Sequence, residues 1–264
     1  MKVEEVKKIA DEQIEKLVEA LSQGKSEALR SYLSAMSKLY KYSFRNMLLI
    51  LSQRPDATNV AGFKTWKKLG RWVRKGEKGI TIIVPLAIKK AEGEFSEDEQ
   101  MLIRFKASHV FDVSQTDGEA LPELAKASGD PRQHLDALKA LIAAHNVSLE
   151  YASYLDGADG MSRGGAIVLK SELDRAEEFS VLVHEFAHEL LHQGEKRGDK
   201  NKLVRETEAE AVASVVSEAI GISATSSASD YIQLYQGDVE TLKASLDAIQ
   251  KVATTILTGI FPEA

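Results

Sequence analysis

Apolar residues first recur at helical spacing. Val3, Val6, Ile9, Ile14, Leu17, Val18 and Leu21 fall on one stripe of a helix that Gly24 ends. A second helix is predicted over 26–39 and a third over 43–51 with Ser43 as its N-cap, before Arg54-Pro55-Asp56 breaks helicity. From Asn59 the pattern changes to that of short strands and turns. Gly62, Gly70, Gly76 and Gly79 punctuate it, and Ile80–Leu86 is a strongly β-prone run. A further strand pair is expected around 102–113, with the acidic segment 92–99 as an exposed hairpin tip. Residues 114–131, with Gly118, Pro122, Gly129 and Pro131, read as a linker. Beyond it a helix is predicted over 132–145, short strands over 148–151 and 165–169, and helices over 176–192, 202–220 and as a pair within 229–261. In that last stretch Leu242, Leu246, Ile249, Val252, Ile256 and Ile260 form one apolar stripe, the mark of core packing. The pattern predicts an α+β protein: N-terminal helices with a small β-sheet, then a mostly helical domain. The first domain is placed at 1–118, the linker at 119–131 and the second domain at 132–264.

Composition narrows the chemistry. Of 264 residues, 44% are apolar and 28% charged, as in a globular protein, and there is no cysteine. Disulfides, thiolate metal ligands and a thiol nucleophile are therefore excluded, and any zinc must rest on His, Glu or Asp. The opening MKVEEVKKIADEQ is a charged amphipathic helix start, and no apolar run approaches bilayer length, so no membrane partner and a cytoplasmic location are expected.

The net charge of −6 hides a split. Residues 1–90 hold 19 Lys+Arg against 9 Asp+Glu, and residues 91–264 hold 15 against 31. Such asymmetry suggests two modules with different partners, the basic one a candidate for a polyanion.

The acidic half contains His184-Glu185-Phe-Ala-His188 inside a predicted helix. Histidines four apart lie on one face, one turn apart, so both imidazoles can reach one ion. Glu185, beside the first, can hold a water at that ion and take its proton as general base. A lone histidine in a helix is usually structural; the pair with Glu185 between them points to a metal. Glu206 and Glu210 share a face of the next helix. The pattern resembles thermolysin-like zincins (gluzincins), whose second helix gives a Glu ligand and, four residues on, an acid supporting a ligand histidine. That resemblance implies Glu206 as third ligand of a Zn2+ ion and Glu210 as its supporting residue, leaving a coordination position open for water. Glu208 is expected to point elsewhere, into solvent. His192 is read as the helix cap before Gly194, and His109, His134 and His145 as structural. Residues 165–169 either lie along the cleft as in zincins, where an edge can pair with an extended peptide, or form a plain core strand. Tyr231 is a candidate oxyanion donor, with a core role as the alternative.

In the basic half, residues 64–78 carry seven basic residues and one acid around Trp66 and Trp72, both tryptophans of the chain. Cations track a phosphate backbone and indoles stack on unpaired bases. Arg45, Lys64, Trp66, Lys67, Lys68, Arg71, Trp72, Arg74, Lys75 and Lys78 are the candidate contacts to single-stranded DNA. Arg54, Tyr40 and Tyr42 would add charge and aromatic surface. A solvated β-hairpin with the tryptophans in its core fits the same composition. Nothing has the spacing of a helix-turn-helix or a zinc finger.

The segments Tyr42-Ser-Phe-Arg-Asn-Met-Leu-Leu-Ile, Gln53-Arg-Pro-Asp-Ala-Thr, Val60-Ala-Gly-Phe-Lys-Thr-Trp-Lys-Lys-Leu-Gly-Arg, Lys75-Gly-Glu-Lys-Gly-Ile and Val110-Phe-Asp-Val-Ser-Gln-Thr resemble the N-terminal single-stranded-DNA-binding domain of ArdC-type antirestriction proteins. His184, His188 and the stretch Glu206-Thr-Glu-Ala-Glu210 resemble the metallopeptidase-like domain that follows it there. The resemblance spans about residues 25–260. It implies a protein of mobile elements that shields incoming DNA from restriction by coating single strands. A more distant likeness to HExxH proteases that cleave repressors implies a protein substrate.

Overall fold

The computed structural model describes residues 3–23, 26–86, 104–120, 131–193, 201–222 and 239–261. The chain divides into two units, Met1–Ile14 with Arg45–Leu121, and Glu15–Phe44 with Pro122–Ala264. Mixed helices and small sheets make it an α+β protein.

The first unit is built on helix α1 (Val3–Ser22, of which the turns to Ile14 belong here), α2 (Ser26–Leu39) falling to the other unit, and α3 (Phe44–Gln53). Strands β1 (Val60–Ala61), β2 (Arg71–Val73), β3 (Ile80–Leu86), β4 (Arg104–Asp112) and β5 (Thr116–Gly118) follow, with a short helix α4 (Phe63–Lys68) between β1 and β2. The strands form a three-stranded antiparallel sheet in the order β1-β4-β3 and a separate β2–β5 pair. Val6 and Ala10 of α1 pack on Leu49 of α3 and Ile83 of β3. Strand β3 lies at the sheet edge, where unpaired backbone groups need partners. Two amides two turns apart on α3 supply them. Asn46 bonds both the N–H and the C=O of Ile83 (2.9 and 2.8 Å), and Gln53 bonds both groups of Thr81 (2.9 Å each).

The segment after β4 is a second polar knot. Asp112 is buried and caps the short 3-10 turn Val113–Gln115. Its carboxylate accepts from the backbone N–H groups of Thr58, Asn59 and Ser114 at 2.8–3.2 Å and from the Ser114 hydroxyl. Residues 114–118 are part of this fold, with Thr116–Gly118 paired to β2. Segment 92–99 lies outside the described residues.

The second unit adds α5 (Arg132–Ala144), β6 (Ser148–Ala152), β7 (Gly160–Ser162), β8 (Ala166–Lys170), α6 (Arg175–Leu191), α7 (Lys202–Ala219) and α8 (Val239–Ile260). Its sheet has the order β6-β8-β7, with β6 and β8 parallel and β7 antiparallel to β8. Strand β8 therefore has neighbours on both sides, with Ile167, Val168 and Leu169 buried, and is a core strand. The edge nearest α6 is the three-residue β7, too short for a periodicity reading. Phe179, Leu182, Val183 and Phe186 of α6 are buried, as are Ala209, Val212, Ala213 and Val216 of α7 and the 242–260 stripe of α8. Small residues on α7 let helices approach closely.

Residues 15–44 pack in this unit, although the sequence reading assigned 1–118 to one domain. Helix α2 meets α7, with Ser34 Oγ donating to Glu218, while Gln250 Nε2 donates to the carbonyls of Tyr40 (3.2 Å) and Tyr42 (3.1 Å). Tyr40 is buried and Tyr42 half-buried, both within this second unit, and burial pushes the Tyr42 phenol up to about 12.

Candidate metal centre and basic surface

Helix α6 starts at a capping box that the Asp174-x-x-Glu177 spacing could have revealed. Asp174 accepts from the N–H groups of Ala176 and Glu177 (2.9 Å each), and Glu177 reaches back to the Asp174 N–H. From this fixed start the helix carries His184 and His188 toward Glu206 of α7. His184 Nε2 and His188 Nε2 are 3.1 Å apart, and Glu206 Oε2 lies 3.6 and 3.4 Å from them respectively. Zinc ligands at about 2.0–2.1 Å in a tetrahedral arrangement stand roughly 3.3–3.4 Å from one another. The observed triangle straddles that value, so the donor set fits a zinc ion in type and spacing.

Carboxylates set the charge of the site. Burial would lower the His184 imidazole, but Glu206 and Glu210 outweigh it and hold it up at about 9. The same imidazoles hold the Glu206 carboxyl far below its usual range. Glu210 Oε2 is 3.4 Å from His184 Nδ1, the nitrogen that faces away from the ligand triangle.

Glu185 is 8% exposed and sits under β7. Burial pushes its carboxyl up, opposed by His184, His188 and a hydrogen bond from the Ser162 backbone. The approach is so close that a Cβ on Gly160 would lie 2.6 Å from Val181 Cγ1 and 2.8 Å from Glu185 Cγ. Glu189, also buried, fastens the β7–β8 turn to α6. It accepts from Ser162 Oγ (2.5 Å) and from the N–H groups of Gly164 (3.0 Å) and Gly165 (2.7 Å), which turn at φ 74° and 91°.

One group departs from expectation. Glu208 is 0% exposed rather than solvated, because α7 is buried on nearly every side. Its Oε2 lies 2.9 Å from Nε2 of His192, which is 4% exposed. His192 does cap α6, and its Nδ1 lies 3.0 Å from His188 Nδ1. No local spacing announces this arrangement, since it joins the end of one helix to the middle of another. His134 and His145 pack edge-on against Phe261 and Phe186. Tyr231 lies outside the described residues.

The basic unit sorts its candidate residues differently. Trp66 is 2% exposed, and its indole N–H donates to the Phe111 carbonyl (2.9 Å), so its ring is core and offers no stacking face. Trp72 is 60% exposed, and Phe63 and Phe105, which sequence reasoning missed, are about half exposed. Arg71 is engaged in the fold, donating to Thr116 Oγ1 (2.8 Å) and to the carbonyls of Thr116 (3.0 Å), Gly118 (3.4 Å) and Glu119. Arg74 pairs with Glu77 (2.7 Å) and Asp117 (3.4 Å), and Arg45 with Asp11 (3.5 Å). Lys64, Lys67, Lys68, Lys75 and Lys78 are exposed, and none forms an ion pair among the described residues.

Residues 3–111 match the family of the N-terminal domain of anti-restriction factor ArdC. Crystal structures of the antirestriction protein ArdC from plasmid R388 share the fold. The metal-free form has a TM-score of 0.54 and covers 96% of this chain and 97% of that one; the Mn(II)-bound form has 0.51, with 96% and 98%. Both are 18% identical to it. The N-terminal part of the chain thus matches that domain family, and the chain as a whole shares the fold of the R388 protein. An uncharacterised protein of Bacillus anthracis is 26% identical over 275 residues, covering 85% of this chain, which spans 46%, about half, of that relative's length. Among the described residues no helix is long and apolar enough to cross a membrane.

Proposed function

We propose that the protein is an antirestriction factor that binds single-stranded DNA through its N-terminal unit and holds zinc in a metallopeptidase-like C-terminal unit. The observation that carries the metal reading is the convergence of His184, His188 and Glu206, with donor separations of 3.1–3.6 Å. Two imidazoles and one carboxylate suit zinc and leave room for a further ligand. The Mn(II)-bound R388 protein supports a divalent ion at this fold. The DNA reading is supported by the ArdC match and by exposed Trp72 and Phe63 among unpaired lysines. Elemental analysis of the purified protein tests the metal. Stoichiometric zinc that is lost in His184→Ala is the expected result, and stoichiometric manganese would reassign the ion.

A second reading, a DNA-associated protease acting on a protein partner, is favoured by the intact and buried Glu185 beside the ligands. Zinc, when bound, supplies Lewis acidity that polarises a carbonyl and lowers the pKa of a water to about 7. Glu185 would take a proton from the attacking water and hand it to the leaving amine, so that a C–O and an N–H bond replace the C–N bond. Glu185→Gln keeps the ligands and removes the base. If antirestriction in cells survives that change with zinc retained, hydrolysis is not the mechanism; if it is lost, the protease reading stands.

A further inference from the structure

We propose that the outer edge of β6 is a docking site for an extended segment of another protein, one that alternates basic with apolar residues. The inference rests on neither the zinc nor the DNA reading.

Strand β6 closes the side of the β6-β8-β7 sheet opposite to β7. Its register against β8 decides where its backbone points. The Ser148 N–H donates to the Gly165 carbonyl (3.0 Å), and the Ala152 carbonyl accepts from the Ser171 N–H (2.9 Å). Ser148 lies opposite Ala166 and Ala152 opposite Lys170. In a parallel pair, alternate residues turn their N–H and C=O to the same side. Ser148, Glu150 and Ala152 therefore face β8, and Leu149 and Tyr151 face outward. Among the described residues nothing bonds to these outward groups. An incoming strand meets them at the spacing of every second residue, roughly 6.6 Å. Sheet edges are usually blunted by proline, lysine, a bulge or a covering group. At β3 the side chains of Asn46 and Gln53 do this. Strand β6 (Ser-Leu-Glu-Tyr-Ala) has neither proline nor lysine and is regularly paired along its length.

Side chains define the partner. Tyr151 turns toward the helices: its hydroxyl donates to Glu178 of α6 (2.6 Å), and Lys139 Nζ of α5 lies 5.6 Å from its ring centroid. Alternation along the strand puts Glu150 on the opposite face. Tyr151 is 48% exposed, and Tyr154, just beyond the strand, 72%. Glu150, Asp156 and Glu172 are exposed, and none forms an ion pair among the described residues. Glu172 follows Ser171, whose N–H is bonded to the end of β6. A strand laid on this edge thus meets an aromatic ring on one face and carboxylates about the other. Cross-strand pairing favours apolar residues beside Tyr151 and Lys or Arg beside Glu150. A second copy of this chain fits less well. Antiparallel self-pairing over the whole strand would set Glu150 opposite its own copy, and like charges so placed repel.

The test uses the full chain and two short fluorescent peptides, one alternating lysine with valine, the other glutamate with valine. Binding is read by anisotropy near physiological salt, and amide hydrogen exchange locates it. The expected result is binding of the lysine peptide only, with the Leu149 and Tyr151 amides protected. Tyr151→Pro and Tyr151→Val both lose the ring, but only the first loses the outward N–H. Proline is tolerated on an edge whose N–H faces solvent. Tyr151→Pro should therefore bind about tenfold more weakly than Tyr151→Val. Glu150→Lys should transfer the preference to the glutamate peptide. Failure of the parent to bind the lysine peptide overturns the proposal, and so does equal binding of both peptides. Binding that leaves the Leu149 and Tyr151 amides unprotected also overturns it, since general attraction to an acidic surface would then suffice. Protection of those amides that rises with protein concentration, without any peptide, assigns the edge to a second copy instead.

Discussion

The two units treat charge in opposite ways. In the C-terminal unit the polar groups around the histidine pair are tied to one another: Glu185, His192 and Glu208 are buried, and the His184, His188 and Glu206 donors are held within 3.6 Å. In the N-terminal unit Lys64, Lys67, Lys68 and Lys75 stand in solvent beside the exposed Trp72. A metal centre needs donors fixed before the ion arrives, because its affinity depends on geometry at the scale of tenths of an ångström. A surface for single-stranded DNA needs mobile cations and open aromatic faces, because the ligand is flexible and its register variable.

The sharpest way to break the comparison is to remove one ligand. His184→Ala should abolish stoichiometric zinc, while single-stranded DNA binding, read by fluorescence anisotropy, stays within about twofold of the parent, a difference under roughly 0.5 kcal/mol. DNA binding that disappears together with the metal would mean that the two functions are not separable.

Next in size are changes to the polar knot and core of the basic unit. Asp112 is buried and accepts four hydrogen bonds, one of them from the Ser114 hydroxyl. Asp112→Ala should cost about 3–5 kcal/mol in chemical denaturation, since it leaves several buried N–H groups unpaired. Asn46→Leu, which strips the edge of β3 at Ile83, should cost about 2–3 kcal/mol.

These sites also show what could be read from the chain beforehand. The His184–Glu185–His188 cluster was legible because four-residue spacing on a helix is local geometry, independent of what packs around it. Glu206 and Glu210 were legible only through likeness to a known pattern. Their distances to His184 are properties of α7 lying against α6, which depends on small residues such as Ala209 and Ala213. Glu208 was misread for the same reason: an acid on a helix is solvated unless the helix is enclosed, and enclosure is not written in a single segment. Helix α4 was missed because six residues between glycines carry too little pattern to outweigh their aromatic and β-branched content. The basic segment misled differently. Its residues were in view, but exposure decides their role, and exposure separates Trp66 from Trp72.

That separation gives a prediction of intermediate size. Trp66→Ala should destabilise the fold by about 3–5 kcal/mol through loss of a buried aromatic and its hydrogen bond to Phe111. Trp72→Ala should change stability little and weaken single-stranded DNA binding by about 1–3 kcal/mol, the worth of one stacked base. Equal effects of both changes on DNA affinity, with both proteins fully folded, would remove the stacking argument.

The smallest expected effect separates the cations. Lys67 stands in solvent on α4, whereas the Arg71 guanidinium is bonded to Thr116 and Gly118 across the β2–β5 pair. Each phosphate neutralised on a single strand releases a counterion and adds about 0.7 to the slope of log affinity against log salt. Lys67→Gln should therefore lower that slope by about 0.7, with a loss of affinity under roughly 1 kcal/mol near physiological salt. Arg71→Gln should leave the slope nearly unchanged, because its charge serves backbone carbonyls, and should appear as a lower denaturation midpoint. The opposite pattern, a slope that responds to Arg71 and not to Lys67, would mean that DNA binding rearranges the β2–β5 pair to release the guanidinium. The surface described from the unbound chain would then be the wrong one.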